Sequence, residues 1–415
     1  MNFIFISPNF PARYYQWVEA LNERGINVYC IVDCSYNELD ERLIAAAKEI
    51  YYVRDMNDFD AMVEAVAYFE AKYGKIDYLE SMNEWWLRSD AKLRAHFGIP
   101  GLLPEDMERI TAKSGMKSFF EKGGAKTIRY LLVNGPEDKE KALSFLDEVG
   151  FPLFVKPNVG VGAADSYALH NQEEFDAFFR RELAEPYIME EYIDGTIVSF
   201  DGICDEESNV VFATTDHFPE PIADTVIKQD DYYYFNNPFS LPMRDLNDAE
   251  EFERVGRAVV KAFGIKKRFF HIEFFVLKEE KKGLGKRGDF IALECNMRAP
   301  GGDCPDLIDY GNSCSVFDIY ADVIAYNENR QDMNKTPYYA FASNRRDGIK
   351  YQHSLEEVLV AYQKQITQWG RYPKALASAM CDVYIDAVFS SFAEGLEFDS
   401  FVREKANVDT FLATK

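Results

Sequence analysis

Glu294, Asn296 and Arg298 recur at every second position in the run FIALECNMRAPGGD. In a strand, side chains alternate faces, so this spacing puts a carboxylate, an amide oxygen and a guanidinium on one side, with Leu293, Cys295 and Met297 on the other. A second carboxylate, Glu273, lies in HIEFFVL, and the two apolar runs are separated by the polar, glycine-punctuated KEEKKGLGKRGD. That pattern predicts a β-hairpin. Two carboxylates and an amide form an all-oxygen donor set, which suits Mg²⁺ or Mn²⁺ rather than zinc. Hard cations of that size commonly carry a nucleotide phosphate. Taken alone, these residues also fit an ordinary solvated strand face, so the rest of the chain must decide.

Two lysines bear on the choice. Lys156 ends the apolar run FPLFVK and is followed by Pro157 and a small-residue loop containing Gly160, Gly162, Ala163 and Ala164. Such a loop can bring backbone N–H groups to phosphate oxygens. It is not a P-loop, because GxxxxGK[ST] is absent and the lysine precedes the glycines. Lys113 sits early in a helical stretch that follows the punctuated GIPGLLPEDMERITA. Residues 187 to 193, YIMEEYI, form a short strand before the Asp194-Gly195 turn, and main-chain groups there can hold an adenine edge.

The surrounding elements must position these groups. Residues 1 to 98 alternate strand and helix and predict a parallel α/β lobe. The loop after the first strand is SPNFP rather than GxGxxG, which disfavours dinucleotide binding and with it a dehydrogenase. Residues 98 to 127 mark a domain junction. The irregular stretch 211 to 245 carries Lys228 and Tyr232 to Tyr234, which join Glu84 as pocket candidates. Asn247 to Phe263 predicts an amphipathic helix with Asn247 as N-cap and Gly264 closing it. Beyond residue 330 a further lobe is expected, with a Ser354/Glu357 capping box.

A length of 415 residues implies two to four domains. The net charge of −24, from 46 basic and 70 acidic side chains, repels nucleic acid and anionic membrane. No apolar run reaches the roughly 20 residues of a membrane span, and MNFIFISPNF lacks the basic start of a signal peptide. A cytoplasmic protein is expected. The seven scattered cysteines fit reduced packing thiols. A homo-oligomer is left open.

Together, Lys113, Lys156 before its glycine loop, EEYI, Glu273 and ECNMRAPGGD resemble the ATP-grasp superfamily. The last motif is similar to the E-x-N-x-R-x-x-G-G ending of carboxylate-amine ligases, including amino-acid ligases. The resemblance covers roughly residues 1 to 330. It implies a Rossmann-like pre-ATP-grasp lobe (1–98), the two ATP-grasp subdomains (99–186 and 187–330) and a C-terminal α+β lobe (331–415). ATP would lie between the subdomains, with its phosphates on Lys113 and Lys156 under the loop of Gly160 and Gly162. Its adenine would lie along Glu190, Glu191, Tyr192 and Ile193, beside Phe275. Glu273, Glu294 and Asn296 would hold two Mg²⁺ ions, and Arg298 would face the transferred phosphoryl or a substrate carboxylate.

The implied activity joins a small-molecule carboxylate to an amine through an acyl phosphate. A bicarbonate-using carboxylase or carbamoyl-phosphate-type enzyme and a non-catalytic ATP-binding regulator are the alternatives. Two positions depart from the family pattern. Ile197 stands where a ribose-binding Glu is common, and Ala112 stands where an Asp usually precedes the helix lysine.

Overall fold

The computed structural model describes residues 1–160, 165–220, 225, 228–374, 377 and 380–406. Strands β1 (Asn2–Ile6), β2 (Asn27–Val32), β3 (Glu49–Tyr52) and β4 (Tyr78–Glu80) form a parallel sheet in the order β3-β2-β1-β4. The continuous apolar run of β1 follows from burial on both faces. Phe3 and Phe5 pack towards Trp17, Val18 and Leu21, whereas Ile4 and Ile6 pack towards Met62, Val66 and Phe69. Trp17 also meets Phe317 edge-on at 4.5 Å, so this lobe shares core with the Val316–Tyr326 helix.

A four-stranded antiparallel sheet follows, ordered β5 (Tyr130–Val133), β8 (Tyr187–Glu191), β6 (Leu153–Pro157) and β7 (Tyr167–Leu169). The largest sheet has eight antiparallel strands. In chain order they are β9 (Gly195–Cys204), β10 (Val210–Phe218), β11 (Tyr233–Asn237), β12 (Arg268–Leu277), β13 (Phe290–Asn296), β14 (Tyr339–Arg345), β15 (Ile366–Arg371) and β16 (Val383–Phe389). The spatial order is β13-β12-β9-β10-β11-β14-β16-β15. The strands beyond residue 330 therefore continue this sheet instead of building one of their own. Strand β14 pairs with β11, and Phe341 stacks on Phe235 at 5.2 Å, which carries the core across the junction.

Helix Ala249–Phe263 covers the middle of that sheet. Gly256 permits the contact, since a Cβ there would lie 2.6 Å from the Phe200 ring. The N-cap is Asp248, not the expected Asn247: Asp248 Oδ1 accepts from Glu251 N at 2.9 Å. Asn247 instead donates to Arg287 O (2.6 Å) and Asp289 Oδ1 (3.0 Å), tying the helix start to the β12–β13 turn. Gly264 closes the helix in the left-handed region, and the Ser354/Glu357 capping box is present. All seven cysteines are free thiols.

Candidate functional site

The β12–β13 hairpin places Glu273 directly opposite Glu294, and His271 opposite Asn296. Like charges facing each other across an antiparallel pair are destabilising unless cations sit between or beside them. Here Lys113 Nζ stands 3.2 Å from Glu294 Oε1, and His271 Nε2 stands 3.5 Å from Glu273 Oε1. Cys295 and Met297 are buried in the opposite core, as the alternation requires. Leu293 departs from it. The register shifts between Glu273 and Phe274, so Leu293 is an extra residue in β13. A bulge of this kind re-aims side chains, and Leu293 faces the same cavity as Glu294.

That cavity, of about 470 Å³, gathers residues from Glu84 to Met380. Lys113, Lys156, Glu190, Glu191, Tyr192, Ile193, Glu273, Phe275, Glu294, Asn296 and Arg298 all line it, together with Glu84, Tyr232 and Tyr234. Gly160 meets the cluster through its carbonyl, which accepts from Lys113 Nζ at 3.2 Å. Gly162, with Ala163 and Ala164, lies outside the described residues. Lys228 is not among the described lining residues, and Tyr233 points to the other face, stacked on Phe341. The lysine-bearing segments are stitched together. Lys113 N donates to Asn158 O (2.8 Å) and Ser114 N donates to Asn158 Oδ1 (2.9 Å), so the start of the Lys113–Lys122 helix is fixed against the end of β6.

Glu190 sits between two ammonium groups, Lys117 Nζ at 2.6 Å and Lys156 Nζ at 2.8 Å. Burial would raise its pKa, but the two lysines outweigh burial and hold it down at about 2. Burial opposes the charge of Lys156 in turn, and Glu190 and Glu294 overcome that and push its pKa up. Glu191 turns to the opposite side, where Arg129 grips it through Nε (2.7 Å) and Nη2 (2.6 Å) and Lys281 approaches to 3.1 Å. The main chain of Glu190 is a rung of β8, paired with both Tyr130 and Phe154. The main-chain edge expected over residues 190 to 193 therefore leaves the sheet only at Tyr192 and Ile193.

Sequence reasoning missed three site residues. Lys117 lies one helical turn after Lys113, a spacing that places both on one face. His271 precedes Glu273 by two positions, and its Nδ1 meets Asp201 Oδ1 at 2.6 Å. Burial lowers the His271 pKa, but Asp201 and Glu273 raise it to about 10, so it is a cation braced between two carboxylates. Asp201 announces itself by no local motif. At the far end of β13, Arg298 Nη2 donates to Glu84 Oε2 at 2.8 Å, and Nη1 donates to Ala299 O at 2.9 Å. Glu84 opens a short turn after β4, held by Asn83 Oδ1 accepting from Trp85 N at 3.0 Å.

Among the described residues, no three His, Cys, Asp or Glu side chains converge on one point. Glu273, Glu294 and Asn296 line one cavity with two carboxylates and an amide. That set fits Mg²⁺, which keeps several waters and takes its remaining ligands from substrate phosphates. The two departures are also placed. Ile197 lies in register with Phe275 and with Phe218, extending an apolar wall, and the backbone of Ala112 bridges to Val159.

No protein-family model matches the sequence. The chain is 23% identical to an L-arginine-specific L-amino acid ligase of Bacillus subtilis over 338 residues, which is 78% of this chain and 75% of that protein. Among solved structures, an L-amino acid ligase from Bacillus licheniformis superposes with a TM-score of 0.69 at 16% identity, covering 96% of this chain and 95% of the other. The biotin carboxylase domain of a Hydrogenobacter thermophilus 2-oxoglutarate carboxylase, solved with MgADP and bicarbonate, gives 0.68 at 15% identity, covering 95% and 88%. The chain shares the ATP-grasp fold of these enzymes. In sequence and fold the resemblance runs to the carboxylate-amine ligases, amino-acid ligases included.

Proposed function

We propose that the protein is an ATP-dependent ligase that activates a small-molecule carboxylate as its acyl phosphate and joins it to an amine, releasing ADP and phosphate. One observation carries this reading: a single cavity holds Lys113 and Lys156, the oxygen set Glu273, Glu294 and Asn296, and the fork of Arg298. Lys113 and Lys156 would take the triphosphate, and Tyr192, Ile193 and Phe275 the adenine. Mg²⁺ held by Glu273, Glu294 and Asn296 would neutralise phosphate charge during transfer. Arg298 presents a rigid planar donor fork suited to a carboxylate or a phosphoryl group.

A carboxylate is a poor electrophile. Its oxygen first attacks the γ-phosphorus as the bond to ADP breaks, and the amine then attacks the acyl carbon as phosphate leaves. The lysines are nearly sealed from solvent, at 4% exposure for Lys113 and 6% for Lys156. The test is ADP release from ATP and Mg²⁺ across a matrix of acids and amines, with the condensed product weighed by mass spectrometry. Product formation that needs both acid and amine is expected. Silence across the matrix, or release driven by bicarbonate alone, sinks the proposal.

A further inference from the structure

A polar hollow lies behind the cavity wall, on the half of the large sheet built by β11, β14, β16 and β15. Tyr234, Ala342 and Asp386 stand side by side across three strands in register. Ala342 carries nothing beyond its Cβ, so space is left above it between its two neighbours. Asp303, at the start of the Cys304–Asn312 helix, spans that space. Its Oδ1 accepts from the Tyr234 hydroxyl and from Tyr372 Oη at 2.7 Å, and its carboxyl group comes within hydrogen-bonding reach of Asp386. Gln368, opposite Asp386 on β15, donates from Nε2 to Asp386 Oδ2 at 2.6 Å. Asn344 lies two residues beyond Ala342 on β14, and strand alternation puts it on the same face.

Each acid therefore has one oxygen engaged and one left over. Asp303 Oδ2 and Asp386 Oδ1 are buried without a hydrogen-bond partner, as are Gln368 Oε1 and both amide atoms of Asn344. Asp303 is 3% exposed, and Asp386 and Asn344 are fully buried. Among the described residues, neither acid forms an ion pair with a lysine, arginine or histidine; Arg13 is engaged by Asp306 at 2.7 Å. Burial, Asp303 and Asp306 all push the Asp386 carboxyl up, against the Gln368 amide. Buried charges are paired or coordinate a metal ion. A proton shared by the two acids would leave the amide oxygens of Gln368 and Asn344 unsatisfied, whereas a cation can take all four oxygens. The set is hard and all-oxygen. Mg²⁺ gives up its water reluctantly, but protein oxygens readily replace the hydration shell of an alkali ion.

We propose that this hollow binds a monovalent alkali cation, K⁺ or Na⁺, ligated by Asp303, Asp386 and the amide oxygens of Gln368 and Asn344. The ion ties the β15–β16 edge of the sheet to the start of the Cys304–Asn312 helix and, through the Tyr234 hydroxyl, to the cavity wall. The site is separate from Glu273, Glu294 and Asn296, and it stands whether or not the protein is a ligase.

The test is thermal unfolding of the full-length chain in KCl, NaCl and tetramethylammonium chloride at equal ionic strength. K⁺ or Na⁺ should raise the midpoint by roughly 2–4 °C over tetramethylammonium, and the rise should saturate with concentration. In Asp303→Asn and in Asp386→Asn that rise should vanish. A wild type that melts alike in all three salts overturns the proposal, as does a rise that persists in both variants or one produced by Mg²⁺ or Ca²⁺ and by neither alkali ion. Where the variants fail to fold, Tl⁺ binding to the wild type, followed by ²⁰⁵Tl resonance, decides. A bound signal displaced by K⁺ or Na⁺ upholds the site, and its absence overturns it.

Discussion

Replacing Glu190 with Gln removes one negative charge from between two buried ammonium groups 2.6 and 2.8 Å away while keeping the side chain's size. The cost can be worked two ways. A fall in the Glu190 pKa from 4.5 to about 2 corresponds to about 3 kcal/mol, at about 1.4 kcal/mol for each pH unit. Removing one partner of a buried ion pair costs about 3–5 kcal/mol, because the charge left behind is uncompensated. Both point to a loss of about 3 kcal/mol at pH 7. The sign with pH follows from the depressed value: the contribution of Glu190 is complete above pH 4.5 and is lost as pH falls towards 2. The gap between wild type and variant should therefore be about 2 kcal/mol narrower at pH 3 than at pH 7. Urea unfolding of both chains at the two pH values measures this. Mg·ATP should stabilise the variant more than the wild type, since phosphate gives Lys156 a new counter-charge. A loss below about 1 kcal/mol at pH 7, set against the pair energy above, or a gap that does not shrink on acidification, refutes the clamp.

Lys156→Met should weaken ATP binding by roughly ten- to a hundredfold, the worth of one charge-assisted hydrogen bond, as measured by calorimetry; unchanged affinity would remove Lys156 from the phosphate site. Glu294→Gln should raise the Mg²⁺ concentration needed for half-maximal ADP release at least about tenfold, and Mn²⁺ binding followed by electron spin resonance should weaken in step. Glu80, at the end of β4, is buried against Arg268 (2.7 Å) and Arg94 (3.3 Å). Arg268→Met should cost about 3–5 kcal/mol, and the double variant Glu80→Met/Arg268→Met should recover part of that; a double variant no more stable than the single shows the pair is not coupled.

Much of the site was legible because its signals are local. The alternation in ECNMR and the glycine-rich turn before it fix the hairpin and the shared face of Glu294 and Asn296. A lysine closing an apolar strand before a small-residue loop needs no partner to be noticed. The N-cap shows where local signals tie. In Asn-Asp-Ala-Glu-Glu, both Asn247 and Asp248 are good caps with a Glu three residues on. The choice falls to a distant contact: Asn247 N donates to Gly288 O at 3.0 Å, so Asn247 belongs to the turn and the cap passes to Asp248. The strands after residue 330 read as a separate lobe for the same reason, since nothing near Tyr339 encodes its pairing with β11.

The bulge at Leu293 is the sharper case, because it alters the site itself. The run Ile291-Ala292-Leu293 is uniformly apolar, so no alternation exists there to be broken, and an extra residue leaves no trace in the pattern. Its effect is nonetheless chemical. Without the extra residue, Leu293 would share the core side with Cys295. With it, Leu293 joins Ile128, Ile193 and Phe275 in the apolar patch beside the face of Glu294 and Asn296. One inserted residue thus gives β13 two faces' worth of cavity lining, an apolar platform on the Ile193 side and polar oxygens on the Lys113 side. A nucleotide, with its flat apolar base and charged phosphates, needs both within the length of one strand.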